Sequence, residues 1–176
     1  LDDYYASGGW LGLGQARAIG AEATIETIMA SGLRGRGGAG FPAGIKWQTV
    51  ANATADQKYI VCNADEGDPG AFMDRTVLES DPHSIIEGMT IAAYAVGAEQ
   101  GYIYVRAEYL LAIERLRTAI AAAETHRWLG TAISGSRFSF AIELRVGAGA
   151  LIAAVLRMVV RRGVLVAVVD AATLEG

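Results

Sequence analysis

Six glycines fall within the thirteen residues from Gly32 to Gly44, reading Gly-Leu-Arg-Gly-Arg-Gly-Gly-Ala-Gly-Phe-Pro-Ala-Gly. No helix or strand runs through so much glycine, so the shape of this loop has to be imposed from outside it. The periodic segments around it define the rest of the fold. Gln15–Ser31 has helical spacing, with Ile25, Ile28 and Met29 on one face and Gly32 placed for a left-handed C-cap. Beyond the loop, Lys58-Tyr59-Ile60-Val61-Cys62 reads as a buried strand that stops at the polar turn Asn63-Ala64-Asp65-Glu66-Gly67-Asp68-Pro69-Gly70. A helix is expected over about Pro82–Val96, with Pro82 at its first position, capping-box spacing between Ser84 and Glu87, and Gly97 to stop it. Gly101–Arg106 reads as a second strand. Tyr109–Glu124 reads as a helix with Leu110, Ile113, Leu116 and Ile120 on one face, and Phe138–Val146 alternates as a half-buried strand.

Strands alternating with helices predict an α/β fold, a Rossmann-like mixed or parallel sheet with flanking helices and a glycine-rich cofactor loop. Composition agrees with a globular chain, 52% apolar and 19% charged, with a net charge of −4. No basic stripe with interleaved aromatics is present, which argues against a nucleic-acid partner. The apolar stretch Ala148–Val169 carries Arg157, Arg161 and Arg162 at its middle, each costing about 2.5–3.5 kcal/mol at a bilayer centre, so direct membrane insertion is not expected. The N-terminal residues do not read as a signal peptide. A single cysteine, Cys62, excludes an internal disulfide and an iron–sulfur cluster ligated by cysteines of these residues alone. The expected setting is cytoplasmic, peripheral to a membrane complex at most.

The loop contains Gly35-x-Gly37-x-x-Gly40, but the dinucleotide fingerprint requires a strand before it and a helix after it. Here a helix precedes and Phe41-Pro42 follows, so the pattern alone is weak. Its chemistry says more. Glycines let consecutive backbone N–H groups approach a phosphate, Arg34, Arg36 and Lys46 add positive charge, and Phe41 adds a flat apolar face. The competing reading is a mobile surface loop with solvated arginines. The acidic turn follows a strand, where open α/β sheets place ligands. Its carboxylates would repel phosphates, which leaves ribose or ribityl hydroxyls and a ring edge for Asn63, Asp65, Glu66 and Asp68. Calcium or magnesium would be an alternative, but the spacing is not that of an EF-hand; a solvated turn is the other.

Ser31–Pro42, Gly44–Trp47 and Tyr59–Gly70 closely resemble the FMN- and NADH-binding subunit of respiratory complex I. Related diaphorase-type subunits of NAD-linked formate dehydrogenases and NAD-reducing hydrogenases share these motifs. Ile85–Met89, Tyr102–Tyr109 and Gly147–Ala150 continue the match in order, so the resemblance covers most of residues 1–150. It implies that Gly35, Arg36, Gly37, Gly38 and Lys46 hold the FMN phosphate, with Gly40 also among the cofactor-binding residues. Asn63, Asp65 and Glu66 would take the ribityl chain and ring, and Phe41, Lys46 and Asp68 would contact NAD(H). The implied activity is hydride transfer from NADH to FMN, with electrons passed to iron–sulfur subunits of a multi-subunit redox complex and no protein acid or base in the chemistry. The family departs from this chain after Gly147–Ala150. It has an aromatic residue followed by Ile-Cys-Gly-Glu-Glu-Thr, whereas Leu151–Leu156 stands here, and the downstream cysteines that ligate a four-iron cluster have no counterpart. Residues 1–150 are therefore expected to form the FMN/NADH-binding domain, and 151–176 a divergent apolar tail, either completing the sheet or altered by truncation or a frame change. The alternative function is a non-catalytic or remnant nucleotide-binding domain that packs within a larger complex.

The remaining reactive residues read as structural. Cys62 is expected as a small buried strand residue, His83 and His126 lack ligand partners by spacing, and Trp10, Trp47 and Trp128 are expected to pack.

Overall fold

Lys58–Ala64 forms the inner strand around which the rest is assembled, as its continuous apolar run requires. The computed structural model describes residues 1–36, 39–67 and 70–147, together with the backbone of 165–170. Strands β1 (Lys58–Ala64), β2 (Gln100–Arg106), β3 (Ala141–Gly147) and β4 (Leu165–Asp170) make one sheet in the order β3-β2-β1-β4. All three pairings are parallel, so the expected α/β architecture is the one that forms. Parallel neighbours need crossovers, and helices supply them. β4 falls within the segment read as a divergent tail and pairs with β1 from Lys58 to Asn63; the rest of 151–176 lies outside the described residues.

The helices are α1 (Asp2–Ala6), α2 (Leu11–Ile19), α3 (Ala21–Ser31), α4 (Ala43–Asn52), α5 (Met73–Ser80), α6 (Pro82–Val96) and α7 (Leu110–Thr125). The α6 and α7 helices cover the sheet face that carries Ile60, Cys62, Ile103, Val105 and Ile142, and together they form the main core. The close approach of α6 is made at Gly101, where a Cβ would sit 2.6 Å from the Phe140 ring and 3.1 Å from Met89. On β3, Ile142 is buried while Ala141, Glu143 and Arg145 are exposed, as the alternation read from the sequence requires, but Val146 is exposed too, so the alternation does not reach the end of the strand. That strand starts at Ala141 rather than Phe138, because Phe140 is already paired across a bridge to Gly130.

Three sequence expectations are corrected. The single helix over Gln15–Ser31 is two helices, α2 and α3, broken at Gly20, whose φ of 95° no helix accommodates. Leu110 is exposed rather than on the buried face of α7; it stands at the helix start, and Ala112, Ile113, Leu116, Ala119 and Ile120 fill the contact instead. The capping box at Ser84 and Glu87 does not form, because α6 already begins at Pro82. Asp81 is its cap, accepting from the Ser84 N–H at 3.2 Å.

Glu87 serves a different helix. It is 7% exposed, and its carboxyl group accepts from the backbone N–H of Trp10 at 2.6 Å, the N–H of Leu13 at 3.1 Å and the Tyr4 hydroxyl at 2.5 Å. The two N–H donors lie at the start of α2, which no side chain of its own caps, and the Tyr4 hydroxyl comes from α1. Burial first, and then the bond to Glu87, push the Tyr4 hydroxyl far above its ordinary pKa, so it remains a donor.

His83 stacks on Tyr4 at 5.5 Å, and its Nδ1 is buried without a hydrogen-bond partner among the described residues. Burial lowers the pKa of this imidazole, with Asp81 opposing. Below the unfolded value near 6.5 the unfolded chain takes up a proton that the folded chain resists, so stability falls as pH drops. Urea denaturation at pH 7 and pH 5 is expected to show a smaller acid-induced loss in His83→Gln than in the unsubstituted chain. An equal loss in both would remove His83 as a source of the pH dependence.

Candidate functional site at the carboxyl edge of the sheet

The glycine-rich loop connects α3 to α4. Gly32 ends α3 in the left-handed region with φ 70°, as its position predicts. The two arms of the loop then pair: Arg34 bridges Pro42 in antiparallel fashion, the Gly35 N–H donates to the Phe41 carbonyl at 2.9 Å, and the Ala43 N–H donates to the Leu33 carbonyl at 2.8 Å. Arg34 braces the loop from within, its Nη1 donating to the Gly40 carbonyl at 2.9 Å. Gly40 has a φ of 58°, and nothing lies within 4 Å of where its Cβ would be. Its backbone therefore borders open space. Arg36 is exposed, and Gly37 and Gly38 lie outside the described residues.

Sequence reading missed α4. The loop opens a ten-residue helix whose first turn no side chain caps, so the positive end of that helix faces the loop. Lys46 is in the first turn, its Nζ 5.8 Å from the centre of the Phe41 ring, and Phe41 is 46% exposed. At the same helix, Gly44 lets α4 touch α3: a Cβ there would overlap the Met29 side chain and come within 2.8 Å of the Met29 backbone. Trp47, one turn along, is buried in the core as expected.

The acidic turn leaves β1 at its carboxyl end. Asn63 accepts the Asp65 N–H on its Oδ1 at 3.1 Å, which commits its carbonyl and leaves its amide NH2 as the group to offer a ligand. Asp65 follows, half-buried. Glu66 is anchored from several directions. One carboxyl oxygen accepts the Asp74 N–H at 3.1 Å and the other the Arg75 N–H at 3.2 Å, capping α5 from across the turn. Its backbone carbonyl accepts from Arg106 Nη1 at 2.8 Å and from the Tyr109 hydroxyl at 3.3 Å. The Arg75 and Arg106 guanidinium groups lie 5.3 and 5.9 Å from the Tyr109 ring centre. Burial, followed by the charge of Glu66, pushes the Tyr109 hydroxyl up from its usual pKa. Asp68 lies outside the described residues.

β1 and β2 run parallel, so Asn63–Glu66 and Arg106 emerge together at their carboxyl ends. α4 precedes β1 in the chain and packs on β4, which pairs with β1. Beside Asn63 in register is Tyr104, 1% exposed, whose hydroxyl has no partner among the described residues. A Cβ at Gly147 would lie 2.5 Å from that hydroxyl. The carboxyl end of β1 thus brings together the Asn63 amide, the Asp65 and Glu66 carboxyl groups and the buried Tyr104 hydroxyl. Among the described residues there is no group of three or more His, Cys, Asp and Glu placed to hold a metal ion, and no helix long and apolar enough to cross a membrane. A cavity of about 480 Å³ lies elsewhere, between Tyr4, Asp81, His83 and Arg115, and contains none of the residues selected from the sequence.

Arg75, Arg106 and Tyr109 were missed by sequence reading. Arg106 had a signal: it ends the strand next to β1, level with the turn. Arg75 had none, because α5 is short and buries only Val77 and Leu78.

Residues 28–163 match the family model for the Nuo51 FMN-binding domain. The chain is 55% identical over 152 residues to the NADP-reducing hydrogenase subunit HndC of Solidesulfovibrio fructosivorans, covering 86% of this chain and 31% of that protein. It is 48% identical over 155 residues to an NADH-quinone oxidoreductase F-type subunit of Rhizobium meliloti, covering 86% and 36%. Against the NADH-quinone oxidoreductase F-type subunit of Escherichia coli it is 40% identical over 151 residues, covering 85% and 34%. A crystal structure of an NAD+-reducing NiFe-hydrogenase in the H2-reduced state superposes with a TM-score of 0.72 at 31% identity, over 88% of this chain and 30% of that one. The chain spans about a third of the length of these curated relatives.

Proposed function

The chain belongs to the Nuo51 FMN-binding-domain family, and from that membership we propose that it binds FMN and presents it to NADH as the hydride-accepting part of an NADH dehydrogenase. What supports this is the glycine loop leading into the uncapped start of α4, taken with the Asn63 amide beside the buried Tyr104 hydroxyl, which has no partner among the described residues. Backbone N–H groups of Arg36, Gly37, Gly38 and Gly40, with Lys46, take the phosphate, and Gly35, whose N–H is committed to the Phe41 carbonyl, keeps side-chain bulk away from it. Asn63 and Asp65 take the ribityl chain and ring edge, and Glu66 holds their turn in place. Phe41, Lys46 and Asp68 face NADH. Bound FMN would supply the hydride acceptor and the one-electron outlet toward iron–sulfur subunits of a larger redox complex. The chain's own work is to fix the two rings against each other and keep bulk water from between them. The binding residues all fall within 1–150, which we take as the cofactor unit.

Titrating the full chain with FMN and with riboflavin, following flavin fluorescence, tests the reading. Riboflavin lacks the phosphate and is expected to bind at least about tenfold more weakly, as loss of charge-assisted hydrogen bonds implies. Bound FMN is expected to bleach on anaerobic addition of NADH. Equal affinity for both flavins, or no uptake of either, overturns the proposal.

A further inference from the structure

We infer that Arg106 and Tyr109 are positioning residues for the flavin site, acting through the peptide of Glu66 without touching the cofactor. This inference rests on the proposed function and concerns how its acidic turn is held. The turn leaves β1 at Ala64, and beyond the single bond from Asp65 N–H to Asn63 the groups that fix it come from outside. Asp65, which the proposal gives to the flavin, lies between the end of β1 and Glu66, two residues beyond Asn63 in the strand. The orientation of Glu66 therefore decides where the Asp65 peptide points.

Glu66 is gripped at both ends. Its carboxyl group is bonded to the first turn of α5, which sets the side chain. Its carbonyl is bonded to Arg106 at 2.8 Å and Tyr109 at 3.3 Å, which sets the peptide plane. Register makes this possible, since Ala64 pairs with Val105 and Arg106 is therefore the next residue along the same edge. The guanidinium is itself held, lying over the Tyr109 ring at 5.9 Å and beside Glu108 at 3.5 Å. Arg75 lies over the same ring at 5.3 Å, tying α5 to this stack. Arg75 pairs with Glu79 and Arg106 with Glu108, so both guanidiniums are tethered where they meet the Tyr109 ring.

Arg106→Gln, Arg106→Lys, Tyr109→Phe and, as control, the exposed Arg117→Gln test this in the full chain. Two readouts are needed: FMN affinity by fluorescence, and backbone amide exchange in the FMN-free protein. Arg106→Gln is expected to weaken FMN about tenfold, the size of a lost charge-assisted hydrogen bond. Amides of Asp65, Glu66 and Gly67 should exchange faster while those of Ile60–Cys62 keep their protection, which a general loss of stability would not allow. Tyr109→Phe should shift both readouts the same way by less, Arg106→Lys should recover part of the loss, and Arg117→Gln should match the unsubstituted chain. Unchanged FMN affinity in Arg106→Gln and Tyr109→Phe overturns the inference alone, as does exchange that accelerates equally in the turn and in β1. An unsubstituted chain that takes up no FMN overturns the functional reading and this inference with it.

Discussion

Replacing Glu87 with alanine is expected to cost about 3–5 kcal/mol of stability, because it strands buried donors that have no water to turn to. The carboxyl group receives the Trp10 and Leu13 N–H groups and the Tyr4 hydroxyl, and Trp10 and Leu13 are 2% and 0% exposed. Trp10 also stacks on Trp128 at 4.9 Å, so a loosened α2 disturbs the core at the end of α7 as well. Thermal unfolding should fall by on the order of 10 °C for a chain of this size. Glu87→Gln keeps one acceptor oxygen and should lie between. If Glu87→Ala melts within a degree or two of the unsubstituted chain, the N-terminal helices are held by something other than this carboxyl group.

The second large effect is expected at Gly44. Alanine there sets a methyl group within 2.8 Å of the Met29 backbone, which no rotamer change relieves, so α3 and α4 must move apart. Overpacking of this kind costs about 1–3 kcal/mol. The functional loss should exceed what that figure suggests, because the paired arms of the glycine loop span the same helix crossing. FMN affinity is therefore expected to fall together with the melting temperature. Gly14→Ala is the matched control: it lies inside α2 with open space around its Cβ position, and should stabilise slightly or do nothing. If Gly44→Ala binds FMN normally, the loop does not depend on the spacing of these helices.

Much of this architecture was legible from residue order. The buried run at Lys58–Cys62 and the proline and glycine that bound α6 each follow from a local rule and form where that rule puts them, while the alternating run to Val146 becomes a strand only from Ala141. Helix α4 was hidden because Pro42 and Gly44, which read as breakers, are a cap and a contact point once α3 lies alongside. The roles of Glu66 and Glu87 were hidden for a related reason. Each sequence position looked like a ligand or a local cap, whereas its acceptor atoms serve a helix start elsewhere in the fold. Local patterns reveal what a residue can bond to, while the partner is chosen by the tertiary arrangement.

That arrangement has a consequence for the order in which the chain assembles. The acceptor that completes the first turn of α2 arrives 77 residues after Trp10. A nascent or proteolytic piece holding only the first two helices would thus fray at its leading end until α6 docks, and a long closure entropy must be overcome before that reward is collected. The amino-terminal segment is accordingly expected to lock in late, as a clasp over a sheet already formed.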